Sequence, residues 1–330
     1  MNFVSKYRGV EDYFYGGRGA WDYEMDDSGH LRISEIPDNL ASYYSNYSTH
    51  SSSDEFGSCI DFSARRQYVL QRKLGHSFKN QKSGFSVFYA IASWAPTVTS
   101  SDLMSVLKIR GEEFDNKHVL DFGCGSGLIA ARFAALGANV VGYEPDSSAA
   151  CFNSNFESFQ AFCDLEQCAA TRDSGFDFIV LNHVIEHLES PLTTISRLKL
   201  MLAPGGRLLI TTPNANSLFH KIFGRYWRGL EAPRHLHVFT KKSLGEVLQS
   251  SGFPTMEIST EVRSSWLIFY SSFLAFLGFR SVEVRVGRSR FLVLVAGLMQ
   301  VIEHFLAKFG LFEGEELFAR VKLEEASDIC

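Results

Sequence analysis

Apolar and polar positions follow both strand and helix periods along this chain, and the clearest stretch lies near its middle. Val119, Leu120 and Phe122 form a short apolar run of the kind a strand needs when both faces are buried. Leu128 to Leu136 then sets Ile129, Phe133 and Leu136 on one helical face, with Gly137 as its stop. Asn139 to Tyr143 reads as a second buried strand and ends at Glu144. Between the first strand and the helix, Gly123, Gly125 and Gly127 stand at alternate positions behind Asp121. Glycine is needed where backbone turns sharply and lies against a ligand, because a Cβ would collide. The pattern is strand, glycine loop, helix, strand, with an acid about 20 positions past the glycines, an arrangement that hydrogen-bonds a ribose diol. It reads as a nucleoside-cofactor site.

Ahead of this unit the pattern changes. Residues 1–58 are rich in tyrosine and serine with little periodicity, and are expected to form an arm or a lid, with Tyr43 to Tyr47 as the lid segment. Residues 59–110 carry helical periodicity and apolar runs, among them Phe85 to Trp94, and predict a helical cap. Residues 111–263 form the expected core. After Glu144, Pro145 and Asp146 open a helix. A weak strand over Phe159 to Cys163 and a clear one over Phe176 to Leu181 follow, then a helix over Pro191 to Leu202. Pro204-Gly205-Gly206 predicts a turn and Arg207 to Thr212 a strand. Ser243 to Ser251 is a helix and Thr255 to Val262 a strand. Ser264 to Phe279 and Phe291 to Phe312 are apolar segments around Arg280, Arg285, Arg288 and Arg290, predicting a helical insertion over 264–312. Residues 313–330 hold the last strand, Glu316 to Leu323, and a tail. The fold class is α/β: Rossmann-like, with a mostly parallel seven-stranded sheet and helices on both faces.

Composition narrows the function. A 330-residue chain that is 45% hydrophobic and 21% charged can bury a sizeable core. A net charge of -5 and a pI near 6.1 exclude a general nucleic-acid binder. Six cysteines include no C-x-x-C pair, which favours reduced thiols over a disulfide framework. The first residues have no apolar run of signal-peptide length, so the expected location is cytoplasmic, with the membrane surface as a variant.

The order D-x-G-x-G-x-G from Asp121 to Gly127 differs from the dinucleotide pattern G-x-G-x-x-G in placing an acid that can hold a cationic amine. It resembles the first motif of class I S-adenosylmethionine-dependent methyltransferases. The segment FDFIVLNHVIEHLESPLTTISRLKLMLAPGGRLLITTPN resembles the subfamily that includes the ubiquinone-pathway O-methyltransferases. Together the two stretches cover Lys117 to Asn214, a little under a third of the chain. The resemblance implies S-adenosyl-L-methionine as cofactor, its methionine part cradled by Asp121, Gly123, Gly125 and Gly127. It implies Glu144 on the ribose hydroxyls with Pro145 beside it, and Asp164 with Leu165 near the adenine. Asn182 and His183, after the fourth core strand, complete the cofactor set. Methyl transfer would go to an oxygen, or a carbon, of a small-molecule, glycan or lipid-linked acceptor. A nicotinamide-dependent oxidoreductase is the enzymatic rival, against which Asp121 and the Glu186-His187 pair speak. A non-catalytic, cofactor-binding partner subunit is the other.

His183, Glu186 and His187 spell H-x-x-E-H, which also matches an inverted zinc-protease motif, and on a helix two histidines at i and i+4 could share a metal. In the relatives that the segment resembles, two acids and a histidine here are linked to a divalent cation. His183 stands in place of the first acid, and no metal is assigned. His235 and His237 flank Leu236 in the loop where the resemblance puts the acceptor pocket. A histidine near its ordinary pKa can remove a hydroxyl proton, so His235, His237 and His187 are the catalytic candidates. The plain alternative is that the loop histidines bond only backbone. Arg234 is either a contact for an acidic substrate or a surface cation, while Trp227 and Phe239 are packing residues. For 264–312 the alternatives are a buried hairpin, a dimer surface, or a peripheral membrane contact with arginines on lipid phosphates.

Overall fold

The computed structural model describes residues 3–44, 114–146, 159–262 and 265–324. The helical cap expected over 59–110, and the helix expected after Asp146, lie outside the described residues.

Where the sequence suggests an arm, the chain forms strands β1 (Val4–Glu11), β2 (Ala20–Met25) and β3 (Leu31–Ile33). They run antiparallel and continue onto a two-residue strand far along the chain, His237–Val238 (β9), in the order β1-β2-β3-β9. Two register shifts in β1, between Ser5 and Tyr7 and between Tyr7 and Val10, break the alternation that a sequence reading needs. β3 is only three residues long and finds one partner in β9, so local pattern could not reveal it.

The second sheet carries the expected unit. β4 (His118–Phe122) leads through the glycine loop to α1 (Leu128–Ala135) and β5 (Asn139–Tyr143). β6 (Phe159–Phe162), α2 (Leu165–Ala170), β7 (Phe176–Asn182), α3 (Pro191–Leu200) and β8 (Leu202–Pro213) follow. Then come α4 (Leu218–Phe223), α5 (Lys241–Ser250), β10 (Met256–Glu261), α6 (Ser265–Phe276), α7 (Arg290–Lys308) and β11 (Glu316–Lys322). The seven strands lie in the order β10-β11-β8-β7-β4-β5-β6. β4 pairs in parallel with β5 on one side and β7 on the other, and β5 in parallel with β6. Strand order therefore reverses at β4, and in open α/β sheets the ligand crevice forms at the carboxyl ends beside such a reversal.

The turn expected at Pro204-Gly205-Gly206 is instead part of β8. Gly205 has a φ of 73°, and a Cβ on Gly206 would come within 2.7 Å of the Ala203 carbonyl oxygen and 2.8 Å of that of Phe176. The two glycines let the strand kink without leaving the sheet.

Two compact units divide the chain: Met1–Tyr47, His183–Ser196 and Ile210–Arg320 in one, Ser48–Asn182, Arg197–Leu209 and Val321–Cys330 in the other. In the second, Phe114 packs between Phe133 and Phe178, with ring centroids 4.8 Å from each. Each fully buried phenylalanine contributes about 1.5–3 kcal/mol. In the first, Tyr23, Leu31, Phe219, Trp227, Phe269 and Ala296 belong to one buried cluster. The N-terminal strands and the α6–α7 hairpin thus share a core, although the sequence separates them as an arm and an insertion.

Candidate functional site

The cofactor candidates sit at the ends of four adjacent parallel strands. Asp121 is buried at the next-to-last position of β4, its neighbours being Gly142 of β5 and Val180 of β7. The loop that follows holds Gly123, Gly125 and Gly127 at φ of 76°, 49° and 78°, a region side-chain-bearing residues enter only with strain. A Cβ on Gly142 would meet the Cys124 sulfur at 2.7 Å, so β5 passes close beneath this loop. Glu144, just past β5, accepts the Gly125 amide at 2.9 Å and the Asp146 amide at 3.1 Å. Its carboxylate ties the loop to the strand end. Asp121 accepts the amide of Ala130 in the first turn of α1, but burial, with the Glu144 charge adding to it, raises its carboxyl to about 7. Its Oδ2 atom is buried with no hydrogen-bond partner among the described residues.

Past β6, Asp164 caps α2, accepting the Glu166 amide at 3.0 Å, and remains exposed, while Leu165 beside it is buried. Pro145 is exposed and Asn182 half-buried at the end of β7. Asp121, Glu144, Asp164 and Asn182 therefore mark the carboxyl ends of β4, β5, β6 and β7.

His183 does not continue β7 into a helix. It turns the chain with a φ of 56°, and only a 3-10 turn, Ile185–His187, follows. The i, i+4 histidine pair of a zinc-protease helix is therefore not formed. The His183 ring instead bridges two acids: Nδ1 lies 3.3 Å from Glu186 Oε1 and Nε2 lies 3.2 Å from Glu316 Oε1. Burial opposes its charge, but Glu316 and Glu186 outweigh it and raise the imidazole to about 9. Burial alone would raise Glu186, yet the His183 hydrogen bond and charge, with the other histidines, pull it down to about 2. Its second oxygen accepts the Thr212 hydroxyl at 2.9 Å.

Beside Glu186 lie two more imidazoles. The rings of His187 and His235 meet edge to face with centroids 4.7 Å apart. His187 Nδ1 is 3.0 Å from the Arg234 carbonyl, and His235 Nδ1 is 2.7 Å from the Gly229 carbonyl. A carbonyl only accepts, so each Nδ1 carries the proton and each Nε2 keeps its lone pair. Burial holds both imidazoles below their ordinary pKa, His235 far below, and both stay neutral. One ligand atom from each of Glu186, His187 and His235 falls within 4.8 Å of the others, a set that could hold a metal ion. His187 is half-buried and reaches a depression of ≈ 620 Å³ whose walls include Ile36, Leu40, Tyr44 and Glu189. The Tyr44 hydroxyl lies 3.0 Å from His187 Nδ1.

His237 stands outside that cluster. On β9 its Nδ1 is 3.1 Å from His30 Nε2, the two rings stack at 5.1 Å, and burial with the His30 charge lowers its imidazole to about 4. Arg234 is not a surface cation either. It is wholly buried, with Nη2 2.8 Å and Nη1 3.1 Å from the two Asp12 oxygens and its guanidinium over the Tyr15 ring. Trp227 is buried and donates to Glu315 at 2.7 Å, and Phe239 is buried as expected of packing residues. The sequence reading missed Glu316 and Thr212, and had Tyr44 only as part of the expected lid segment. Glu316 leaves a signal, since Glu315 and Glu316 are two adjacent acids directly ahead of the apolar run Leu317–Ala319.

Residues 100–258 match the model of a methyltransferase domain. The chain is similar to the mitochondrial ubiquinone biosynthesis O-methyltransferase of Rattus norvegicus, 27% identical over 54% of this chain and 55% of that protein. It is also similar to the ubiquinone biosynthesis O-methyltransferase of Aromatoleum aromaticum, 28% identical over 43% of this chain and 66% of that one. The chain thus spans about half to two thirds of the length of these curated relatives. Among solved structures, a SAM-dependent methyltransferase from Archaeoglobus fulgidus aligns over 66% of this chain and 92% of its own, at 18% identity and a TM-score of 0.44.

Proposed function

We propose that this chain, whose residues 100–258 match the model of a methyltransferase domain, is an S-adenosylmethionine-dependent methyltransferase acting on a hydroxyl of its acceptor. The observation that carries this reading is Asp121 Oδ2, a buried carboxylate oxygen with no hydrogen-bond partner among the described residues, beside a left-handed glycine loop. A buried carboxylate needs a cation or a proton, and the cofactor's ammonium group would supply the cation. Glu144 would accept the ribose hydroxyls and Asp164 would face the adenine, with Leu165, Pro145 and Asn182 around them. The bound cofactor supplies an electrophilic methyl on a sulfonium. His187 and His235, each neutral with its proton on Nδ1 and Nε2 as the basic nitrogen, would receive the acceptor's hydroxyl proton as the new oxygen–carbon bond forms. Transfer otherwise depends on holding the nucleophile in line with the methyl group.

The names of the relatives favour an oxygen acceptor. We assign a small-molecule or lipid-linked acceptor, a cytoplasmic location at the membrane surface, and a peripheral membrane contact through residues 264–312. Calorimetry with S-adenosylmethionine, S-adenosylhomocysteine and NAD tests the cofactor. Tight NAD binding with neither sulfur cofactor bound would overturn the assignment.

A further inference from the structure

α7 is amphipathic in the reverse sense of a soluble surface helix. Phe291, Leu294, Leu298, Ile302, Phe305 and Phe309 recur at spacings of three and four residues, and their exposures are 76%, 73%, 60%, 39%, 49% and 73%. At about 100° per residue these six form a single stripe. The opposite face holds Ala296, Gln300 and Glu303, all buried, and Gln300 donates to the Val262 carbonyl at 3.0 Å. A helix facing water places its polar residues outward. Here the protein takes the polar side and the apolar side is left open.

The 19-residue helix is long and apolar enough to cross a membrane. Its inner face rules that out for the folded chain, because Gln300 and Glu303 are committed to the protein. An interfacial helix needs only one apolar face. The charges around it are also uneven. The chain as a whole carries -5, yet residues 280–290 before α7 hold Arg280, Arg285, Arg288 and Arg290 with one acid, Glu283, whose carboxylate lies 3.6 Å from Arg228. Arg285, Arg288 and Arg290 are exposed, while Arg280 pairs with Glu11. Arg290 and Lys308 stand at the two ends of α7 on the same flank of the stripe, where long cationic side chains can reach a headgroup layer while the apolar stripe sits deeper. A second copy of this chain would bury the stripe but leave this one-sided cation cluster unanswered.

We propose that α7 lies in the plane of an anionic bilayer surface, with the Phe291–Phe309 stripe in the acyl boundary and Arg285, Arg288 and Arg290 on lipid phosphates. This deepens the membrane contact of the functional reading and rests on it only for location; methyl transfer is a separate property.

The experiment is flotation of the full chain with vesicles of phosphatidylcholine alone and of phosphatidylcholine mixed with phosphatidylserine, at low and high salt. The expected result is binding to the mixed vesicles that weakens with salt, and about fivefold weaker binding for each of Arg285→Ala and Arg288→Ala. Leu294→Glu with Leu298→Glu should abolish flotation while leaving cofactor binding and the melting temperature unchanged, since both positions are exposed. A Leu298→Cys variant carrying an environment-sensitive fluorophore should shift to the blue with the mixed vesicles. Three outcomes overturn the proposal: no flotation under any condition, flotation that the double glutamate variant retains, or a dimer that this variant converts to a monomer without any vesicle binding. Cofactor binding is measured on the same samples, so failure of the lipid contact and failure of the methyltransferase reading are told apart.

Discussion

The Glu144 carboxylate accepts the Gly125 amide at 2.9 Å, so the acid proposed to meet a ribose also fixes the loop proposed to cradle the rest of the cofactor. Glu144→Ala removes both contacts. The expected loss in S-adenosylhomocysteine affinity is about 1.5–3 kcal/mol, the scale of charged hydrogen bonds, or about ten- to a hundredfold in Kd. Titration calorimetry on the variant decides it, and an unchanged Kd would remove Glu144 from the site.

If Asp121 holds the cofactor's amine as proposed, cofactor binding should be pH-dependent. Burial raises its carboxyl to about 7, and a cationic amine binds only the ionised form. Affinity for S-adenosylhomocysteine should therefore rise about tenfold per pH unit below that value and level off above it. Asp121→Asn should flatten the profile at its weak end. A wild-type affinity that does not vary between pH 5.5 and 8 counts against this role.

The imidazole pair and His237 should separate kinetically. Loss of His187 or His235 should lower kcat by about 10²–10⁴ while cofactor affinity stays near its original value. His237→Ala should act mainly on stability, since its ring is engaged with His30. Turnover should survive chelation, because His183 already balances the Glu186 charge. Complete loss with EDTA, restored by a divalent ion, would reassign Glu186, His187 and His235 as metal ligands.

His183 and Glu186 set opposite limits on stability. The His183 imidazole is raised from 6.5 to about 9, so its contribution is full below 6.5 and disappears as pH rises through about 9. Glu186 is lowered from 4.5 to about 2, so its contribution is full above 4.5 and disappears as pH falls through about 2. Glu316→Gln removes one of the two carboxylates holding the His183 proton. Thermal melting from pH 6 to 10 should show the alkaline loss beginning at lower pH in the variant. Superimposable alkaline limbs would exclude the bridge.

The strand-loop-helix-strand unit proposed to hold the cofactor was legible because its parts are close in sequence. Asp121, the three glycines and Glu144 belong to one strand-loop-helix-strand unit, and the physics that selects them is local: a left-handed turn, a buried strand, a helix start. Local pattern also placed β7, β10 and β11 to within a residue or two, because strands inside a sheet are apolar runs bounded by polar residues. The apolar hairpin was visible in the same way, but which of its faces is left open was not, since that depends on what covers the other side.

The imidazole site belongs to tertiary structure. His183 meets Glu316 across 133 positions, Tyr44 meets His187 across 143, and the His187 ring is oriented by the Arg234 carbonyl 47 positions on. Arg234 shows the same dependence: the sequence leaves it as a substrate contact or a surface cation, and its partner Asp12, 222 positions away, makes it a buried ion-pair member. His235 and His237 are two positions apart in the chain, yet one joins His187 and the other stacks on His30. The reason is strand geometry. Pairing of β9 with β3 fixes His237 against the N-terminal sheet, while the Leu236 amide on the Glu186 carbonyl holds the preceding residue at the acid. Sequence spacing cannot distinguish neighbours whose directions are set by partners so far away.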